Sequence, residues 1–337
     1  MASVRVLRRW ALSFGLIAFA ALLYREGPEL SRIHLRGLGW AITGVLASNL
    51  LWHLLRTLSW HVALTGSDGP RFHELFGARL AGEAIGYLSF ASGLFGEPVK
   101  ALLVQHRTPP SSSLAALAAE RAIYMVSGLA FIALTILGAG GQWLHGVAAP
   151  RLALFAAAVL LAWSALLLLV AHFRLRLVSG LLGRLGRRQA RWWRQADAGA
   201  RRFEDYLFEL YTTHKSRLAV IGLLSLLAYL IGCIEVGLLA ATLGLDLRIS
   251  QVFLIEAVSK LANLTNLFIP GAIGAYEGGH ALVLKGLGFG STLGLGLALL
   301  RRARALLWVG LGLVLFWILH HRAQPALSAS APRGARS

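Results

Sequence analysis

The run of twenty residues from Leu152 to Ala171 contains no charged side chain, and it limits the possible folds of this chain more than any other feature. A helix needs about 20 predominantly apolar residues to cross the hydrocarbon core of a bilayer. Charged residues make up 14% of the whole chain, against about 25% in an ordinary soluble domain. These features argue against a soluble enzyme, a disordered chain or a fibrous repeat. The sequence predicts an all-α integral membrane protein.

Six stretches of the chain are apolar enough to span a bilayer. They are Trp10–Tyr24, Leu38–Leu64, Leu114–Leu137, Leu152–Ala171, Leu218–Leu245 and Ser291–Leu319. The first is short, follows three arginines and carries an Ala-Phe-Ala pattern typical of signal-peptide cleavage. Because five further spans follow it, we expect an uncleaved signal-anchor helix.

The placement of basic residues predicts the orientation. Eleven Lys and Arg residues lie between Phe173 and Arg217, which makes this loop cytoplasmic by the positive-inside rule. Both chain termini are then cytoplasmic in a cell (inner) membrane, and residues 321–337 form a disordered tail. We interpret the loop 173–217 as an amphipathic helix on anionic lipid and not as a nucleic-acid interface.

Two further apolar segments, Phe76–Gln105 and Gln251–Lys285, are broken by glycine, proline and charge. The predicted orientation requires each to begin and end on the same side of the membrane. Irregular backbone at membrane depth is tolerated only where it is buried in protein or lines a wet cavity. Both segments are therefore predicted to be re-entrant helical hairpins.

One constant shift along the chain superimposes the rare charges of the two hairpins. Glu97 falls on Glu277, Lys100 on His280 and Arg121 on Arg301, so the spacing from Glu to Arg is the same in each half. The sequence thus predicts one membrane domain, residues 1–320, that contains inverted repeats at about 38–138 and 218–319. Transporters with this plan bind their substrate near the midplane, between the repeats.

A charge at the centre of a bilayer costs roughly 3 kcal/mol on insertion scales, so these side chains need partners. One interpretation is internal ion pairing, Glu97 with Arg121 and Glu277 with Arg301. The other is a hydrated cavity for a charged lipid head group.

The second interpretation assigns a role to each candidate. Pro98 in the first turn of a new helix would place Glu97 at a helix N-terminus, and such termini attract phosphate. Arg121 and Arg301 would bind the phosphate, and Lys100 and His280 would assist them. Glu97 and Glu277 would balance these charges or bind an amine of the head group. Proton coupling is a further possible role for the histidine. The predicted head-group site comprises Glu97, Lys100, Arg121, Asn263, Asn266, Pro270, Gly271, Gly274, Glu277, His280 and Arg301.

The segments Gly96–Lys100, Glu120-Arg121 and Pro270–Glu277 resemble the lysylphosphatidylglycerol synthase transmembrane family, also called flippase-like proteins. The resemblance implies translocation of a phospholipid, with membrane lipids as partners and no cofactor or metal. A hopanoid-associated subfamily is similar and implies another lipid. Because the sequence ends at Ser337, we expect the translocating part without a synthase domain, and no catalytic motif is recognisable. The alternative is a membrane-embedded enzyme, or an accessory subunit of a lipid-modifying enzyme, that acts on lipid-linked substrates.

Overall fold

The computed structural model describes residues 38–64, 69–89, 92–143, 191–265 and 272–329, together with isolated positions at 24, 154, 158, 161–162, 165, 169, 179–180 and 269. This part of the chain is helical and contains no strand. Of the predicted span Trp10–Tyr24 the structure describes only Tyr24, and of Leu152–Ala171 only six positions. Residues 330–337 of the predicted tail lie outside the described residues.

Nine helices make up the described part of the chain. They are α1 (Leu38–Ala63), α2 (Phe72–Leu88), α3 (Ser92–Leu103), α4 (Pro110–Trp143), α5 (Arg191–Thr213), α6 (Lys215–Thr242), α7 (Ile249–Leu264), α8 (Ala275–Gly286) and α9 (Ser291–Ala329). The last of them continues into the predicted tail as far as Ala329.

Three of these helices are long and apolar enough to cross a membrane. The qualifying stretches are Pro110–Gly138 of α4, Lys215–Thr242 of α6 and Ser291–Leu319 of α9, close to three of the predicted spans. The predicted span Leu38–Leu64 does form a helix, α1, but α1 is not among the three. The total of six spans and the re-entrant course of the hairpins stay predictions.

The first hairpin breaks earlier along the chain than the sequence predicts. α2 ends at Leu88, and Ser89 follows with an extended backbone (φ −94°, ψ 153°). α3 begins at Ser92, so Pro98 lies inside it and Glu97 is not at its N-terminus. The predicted helix start at Pro98 is wrong because the break comes earlier, at Ser89, a residue type that favours turns. Once α3 has begun, the missing N–H of the proline removes a single helical hydrogen bond.

The second hairpin follows its prediction more closely. α7 ends at Leu264 and α8 begins at Ala275, with Glu277 in the first turn of α8. Gly274 has a φ of +82°, which favours glycine, and its N–H donates to Glu277 Oε2 at 2.8 Å. The carboxylate of Glu277 therefore takes the position that an anion would occupy at this helix N-terminus.

The order of helices in the first half of the chain recurs in the second half. The helices that begin at residues 38, 72, 92 and 110 have counterparts that begin at 215, 249, 275 and 291. Each counterpart begins close to the position given by the shift that superimposes Glu97 on Glu277. α1 packs along its counterpart α6, while α9 packs against α2 and α4 packs against α7. The long helix that ends each half thus contacts the first hairpin helix of the other half.

Within the predicted loop 173–217, residues 191–213 form an amphipathic helix, α5. In α5 the side chains of Ala200, Glu204 and Phe208 are buried at four-residue spacing, while Arg201 and Asp205 are exposed. Residues four apart share one face of a helix, so α5 presents one side to its neighbours α4 and α6 and one polar side outward. Its contact with lipid stays a prediction.

The outer faces of the long helices are apolar. Full burial of a leucine, valine or phenylalanine from water is worth about 1.5–3 kcal/mol, so a large exposed patch of such residues suits hydrocarbon better than water. Exposed apolar side chains on α6 and α9 include Leu223, Leu230, Ile234, Leu307, Val314 and Trp317.

α9 approaches α2 through Gly312. A Cβ at this position would overlap the carbonyl oxygen of Leu80 and lie 2.7 Å from the Cβ of Ala84, whereas a Cβ at Gly310 would meet nothing within 4 Å. We expect Gly312→Leu to lower the stability of the purified protein by about 1–3 kcal/mol, because the helices must separate. Thermal unfolding in detergent measures this, with Gly310→Leu as the control. Equal melting temperatures for the two variants would contradict the close approach.

Candidate functional site

A cavity of about 280 Å³ lies between helices of both halves of the chain. α1 and α2 from the first half and α6 to α9 from the second half form its wall. Its lining includes four cationic side chains, namely Lys260, Arg301, Arg302 and Arg304. It also includes four aromatic side chains, namely Trp52, Tyr87, Tyr276 and Trp308. Such a mixture of charge and aromatic surface suits a polar group attached to an apolar molecule.

Arg301 is the centre of the charges on the second-half side of the cavity. Its side chain is buried, and its Nε donates to Glu235 Oε1 at 3.1 Å. Nη2 donates to Glu256 Oε2 at 2.9 Å, and Nη1 donates to Ser259 Oγ at 2.8 Å. Since each nitrogen already has an acceptor within the protein, Arg301 is held as a structural cation.

The other three cations of the wall are each tied to one carboxylate. Lys260 Nζ lies 2.7 Å from Glu256 Oε1, and Arg304 Nη1 donates to Glu235 Oε2 at 2.7 Å. Arg302 Nε donates to Glu277 and its Nη1 to Tyr87 Oη at 3.2 Å. These contacts leave part of each guanidinium group available.

Three hydrogen-bond donors on the cavity wall are buried without an acceptor. They are Nη2 of Arg302, Nε of Arg304 and Nε1 of Trp308, and the structure gives none of them a partner among the described residues. A buried donor that stays unpaired costs about 1–3 kcal/mol, and more when it is charged. The donor atoms themselves have almost no accessible surface, so acceptor oxygens of a ligand would reach them only after these side chains turn toward the cavity.

The charges of the second half do not balance. Lys260, Arg301, Arg302 and Arg304 are four cations, whereas their partners Glu235, Glu256 and Glu277 are three carboxylates. Within this network of described residues one positive charge is in excess. A phosphodiester carries one negative charge and would neutralise it.

The first half contains a matching chain of alternating charges. Its order is Arg56, Glu120, Arg79, Glu83, Lys100, Glu97 and Arg121, each member paired with the next. The distances run from 2.5 Å between Arg56 Nη1 and Glu120 Oε1 to 3.6 Å between Lys100 Nζ and Glu83 Oε1. Glu83 is the member that reaches the cavity wall.

Two stacked tyrosines join the two networks. Tyr124 and Tyr229 have ring centroids 4.6 Å apart and an interplanar angle of 14°. Arg56 lies over the outer face of Tyr124 at 3.6 Å, and Lys260 lies 5.4 Å from the ring of Tyr229. Cation–π contacts of this kind attract both cations to the stack.

The predicted site residues divide into three groups. Asn263 and Arg301 line the cavity. Glu277 and His280 are fully buried behind it, where Glu277 binds Arg302, and Gly274 bonds to Glu277. The residues Glu97, Lys100 and Arg121 contact one another but not the cavity, and Asn266, Pro270 and Gly271 lie outside the described residues.

Of the two ion pairs predicted from the sequence, one is confirmed and one is wrong. Arg121 Nη1 donates to Glu97 Oε1 at 2.8 Å, as predicted. Glu277 binds Arg302 and not Arg301, because the neighbouring arginine lies about 100° further round the helix and faces α8. Arg301 faces α6 and α7 instead.

Several residues of the site were not predicted from the sequence. Arg56 and Arg79 are buried within apolar helices, and the cost of an intramembrane charge is the signal that identifies them. The aromatic residues Trp52, Tyr87 and Trp308 carry no such signal, because aromatic side chains are equally common on lipid-facing surfaces.

The fold and the site together define an all-α membrane protein with a charged cavity inside it. The chain belongs to the lysylphosphatidylglycerol synthase TM region family, whose sequence model matches residues 6–325. Comparison with curated proteins and with solved structures gave no match.

Proposed function

We propose that this protein moves an anionic phospholipid, or a related anionic lipid, between the leaflets of a cell (inner) membrane. The head group enters the cavity while the acyl chains stay in the bilayer. The observation that carries the proposal is a cavity lined by one lysine and three arginines, whose network holds one positive charge in excess. Phosphate oxygens supply acceptors of the kind that guanidinium groups bind best.

The same proposal includes the membrane topology. Both termini are cytoplasmic, six helices span, and the pairs α2–α3 and α7–α8 are re-entrant hairpins of two inverted repeats. The recurrence of the helices in the two halves and the crossed packing of α9 on α2 and α4 on α7 support this arrangement. A cavity between two repeats is the usual substrate position in transporters of that plan.

The protein is proposed to work as a transporter and not as an enzyme. Membrane lipids are its partners, and an enzyme that modifies the same lipid is a further candidate partner. Movement of a lipid leaves its covalent structure unchanged. Mass spectrometry of the lipid after incubation therefore separates transport from an enzymatic activity, which would leave a product of different mass.

Occlusion of the cavity tests the function without altering any charge. Ala305 lines the cavity, whereas Ala303 is exposed on the outside of the same helix. We expect Ala305→Trp to slow the movement of a fluorescent anionic phospholipid in proteoliposomes about 10- to 100-fold, because the indole fills space that the head group needs. Ala303→Trp is expected to leave the rate near that of the wild type.

The measurement follows the accessibility of the fluorescent head group to a reductant added outside the vesicles. No movement above protein-free vesicles would overturn the proposed function. Equal rates for the two tryptophan variants would show that the lipid does not pass through this cavity.

A further inference from the structure

His53 lies in the wall of the cavity, on α1, and faces a carboxylate. Its side chain is buried, and its Nδ1 lies 3.3 Å from Glu83 Oε2. The rings of Trp52 and Trp308 lie 5.0 Å and 4.6 Å from the imidazole. Among the described residues that line the cavity, His53 is the only histidine.

His280, the other buried histidine among the described residues, has a different environment. Its Nδ1 lies 2.8 Å from the carbonyl oxygen of Tyr276, and its Nε2 lies 2.9 Å from Ser259 Oγ. Both ring nitrogens are thus occupied by neighbours within the protein, and the residue does not line the cavity. This geometry makes His280 a structural residue, and leaves His53 as the histidine that a ligand can influence.

We propose that His53 and Glu83 form a proton-binding site, and that one proton crosses the membrane together with each anionic head group. The inference rests on the proposed function and adds a second substrate to it. An imidazole is the side chain whose charge changes near neutral pH, with an unperturbed pKa of about 6.5 in model peptides.

Glu83 makes the site accessible from the cavity. Its side chain is 27% exposed, more than any of the other five carboxylates in the two charge networks. Arg79 and Lys100 hold it on the side away from the cavity, at 3.0 Å and 3.6 Å. The carboxylate thus lies between two cationic side chains on one side and the imidazole of His53 on the other.

The remaining charges around the cavity couple the proton to the anion. Arg56 lies on α1 beside His53, and the cavity is shared by Glu235 of α6, Lys260 of α7 and the three arginines 301, 302 and 304 of α9. Their excess is positive, so a further positive charge on His53 is unfavourable while the cavity holds no anion. A bound phosphodiester offsets that excess, so it favours protonation, and by reciprocity the proton raises the affinity for the anion.

The step conserves atoms and charge. A proton from water on one side bonds to the ring nitrogen of His53 that carries none, which forms an imidazolium beside Glu83. On the other side the same N–H bond breaks, and the proton returns to water. One phosphodiester charge and one proton charge then cross together. The membrane potential neither drives nor opposes this movement, because no net charge is transferred.

A pH gradient across proteoliposomes tests the coupling. The membrane potential is held at zero with potassium and valinomycin, and a fluorescent phosphatidylglycerol is followed between leaflets. With the donor side one pH unit more acidic, the wild-type protein is expected to accumulate the label up to about tenfold on the other leaflet, since one proton per lipid transmits the full gradient. His53→Gln is expected to move the label to an even distribution only.

His61→Gln is the matched control, because His61 is exposed in the last turn of the same helix and does not line the cavity. It should accumulate the label as the wild type does. If His53→Gln cannot be reconstituted into proteoliposomes, His53→Asn is measured in its place.

The outcomes separate the two proposals. An even distribution with the wild-type protein would overturn proton coupling and leave the proposed function standing. Accumulation that persists in His53→Gln would overturn the assignment to His53. If the wild-type protein moves no label at all, the proposed function fails, and the coupled movement fails with it.

Discussion

Arg301→Ala is expected to lower the free energy of unfolding by about 3–5 kcal/mol, the usual cost of removing one partner from a buried ionic network. Arg301 donates three hydrogen bonds, to Glu235, Glu256 and Ser259, and it is 5% exposed. Its removal leaves two buried carboxylates with one cation each, and a space that lipid or water fills poorly. Because α9 carries Arg301 while α6 and α7 carry the acceptors, the variant also loosens the contact between these helices.

Thermal unfolding of the purified protein in detergent measures the effect. Arg201→Ala is the control, since Arg201 pairs with Asp197 on the exposed face of α5 and such pairs contribute about 0.3–0.5 kcal/mol. Arg301→Lys is expected to recover little, because an ammonium group cannot reproduce the planar set of three donors. A loss below about 1 kcal/mol for Arg301→Ala would contradict the central role of this residue.

The double variant Arg302→Gln, Arg304→Gln is expected to reduce the transport of an anionic phospholipid at least about 100-fold. Both guanidinium groups line the cavity and have a buried donor without an acceptor. A hydrogen bond to a charged group contributes about 1.5–3 kcal/mol, so the loss of two costs at least about 3 kcal/mol. Because Arg302 is the ion-pair partner of the buried Glu277, the melting temperature of the variant is measured beside the rate, and the rate is compared for equal amounts of folded protein.

The matched control removes two arginines outside the cavity. Arg201→Gln, Arg202→Gln lies on the exposed face of α5 and is expected to leave the rate within about twofold of the wild type. A fluorescent diacylglycerol, which has no phosphate, supplies a second comparison, because its movement does not depend on the two guanidinium groups. If the cavity variant moved the anionic lipid as fast as the wild type, the head group would bind elsewhere.

The helical fold follows from the sequence because hydrophobic length and charge placement are local properties. For the membrane-spanning stretches of α4, α6 and α9, the predicted ends lie within a few residues of the observed ends. The position of Glu277 in the first turn of a helix is also predicted correctly. The hairpin break near Pro98 was misplaced because proline marks a helix start and also survives inside a helix. Which of the two applies depends on the neighbouring turn at Ser89.

The pairing of charges required the structure. Residues 301, 302 and 304 of α9 point in directions that differ by about 100° per residue. The rotation of α9 is constrained by its close approach to α8 at Gly294 and by its close approach to α2, a distant part of the chain, at Gly312. The equal Glu-to-Arg spacing of the two halves therefore predicts the correct partner of Glu97, which is Arg121. For Glu277 it predicts Arg301, whereas the partner is the next residue, Arg302.

The two charge networks also bear on how the protein is assembled during synthesis. Every member of the first network lies between Arg56 and Arg121, and every member of the second lies between Glu235 and Arg304. Each half can thus pair the carboxylates of its network with cations of the same half. The contact of α9 with α2 forms only when α9 has been made. The carboxylates are paired within each half, whereas the closing of the cavity wall requires helices of both halves.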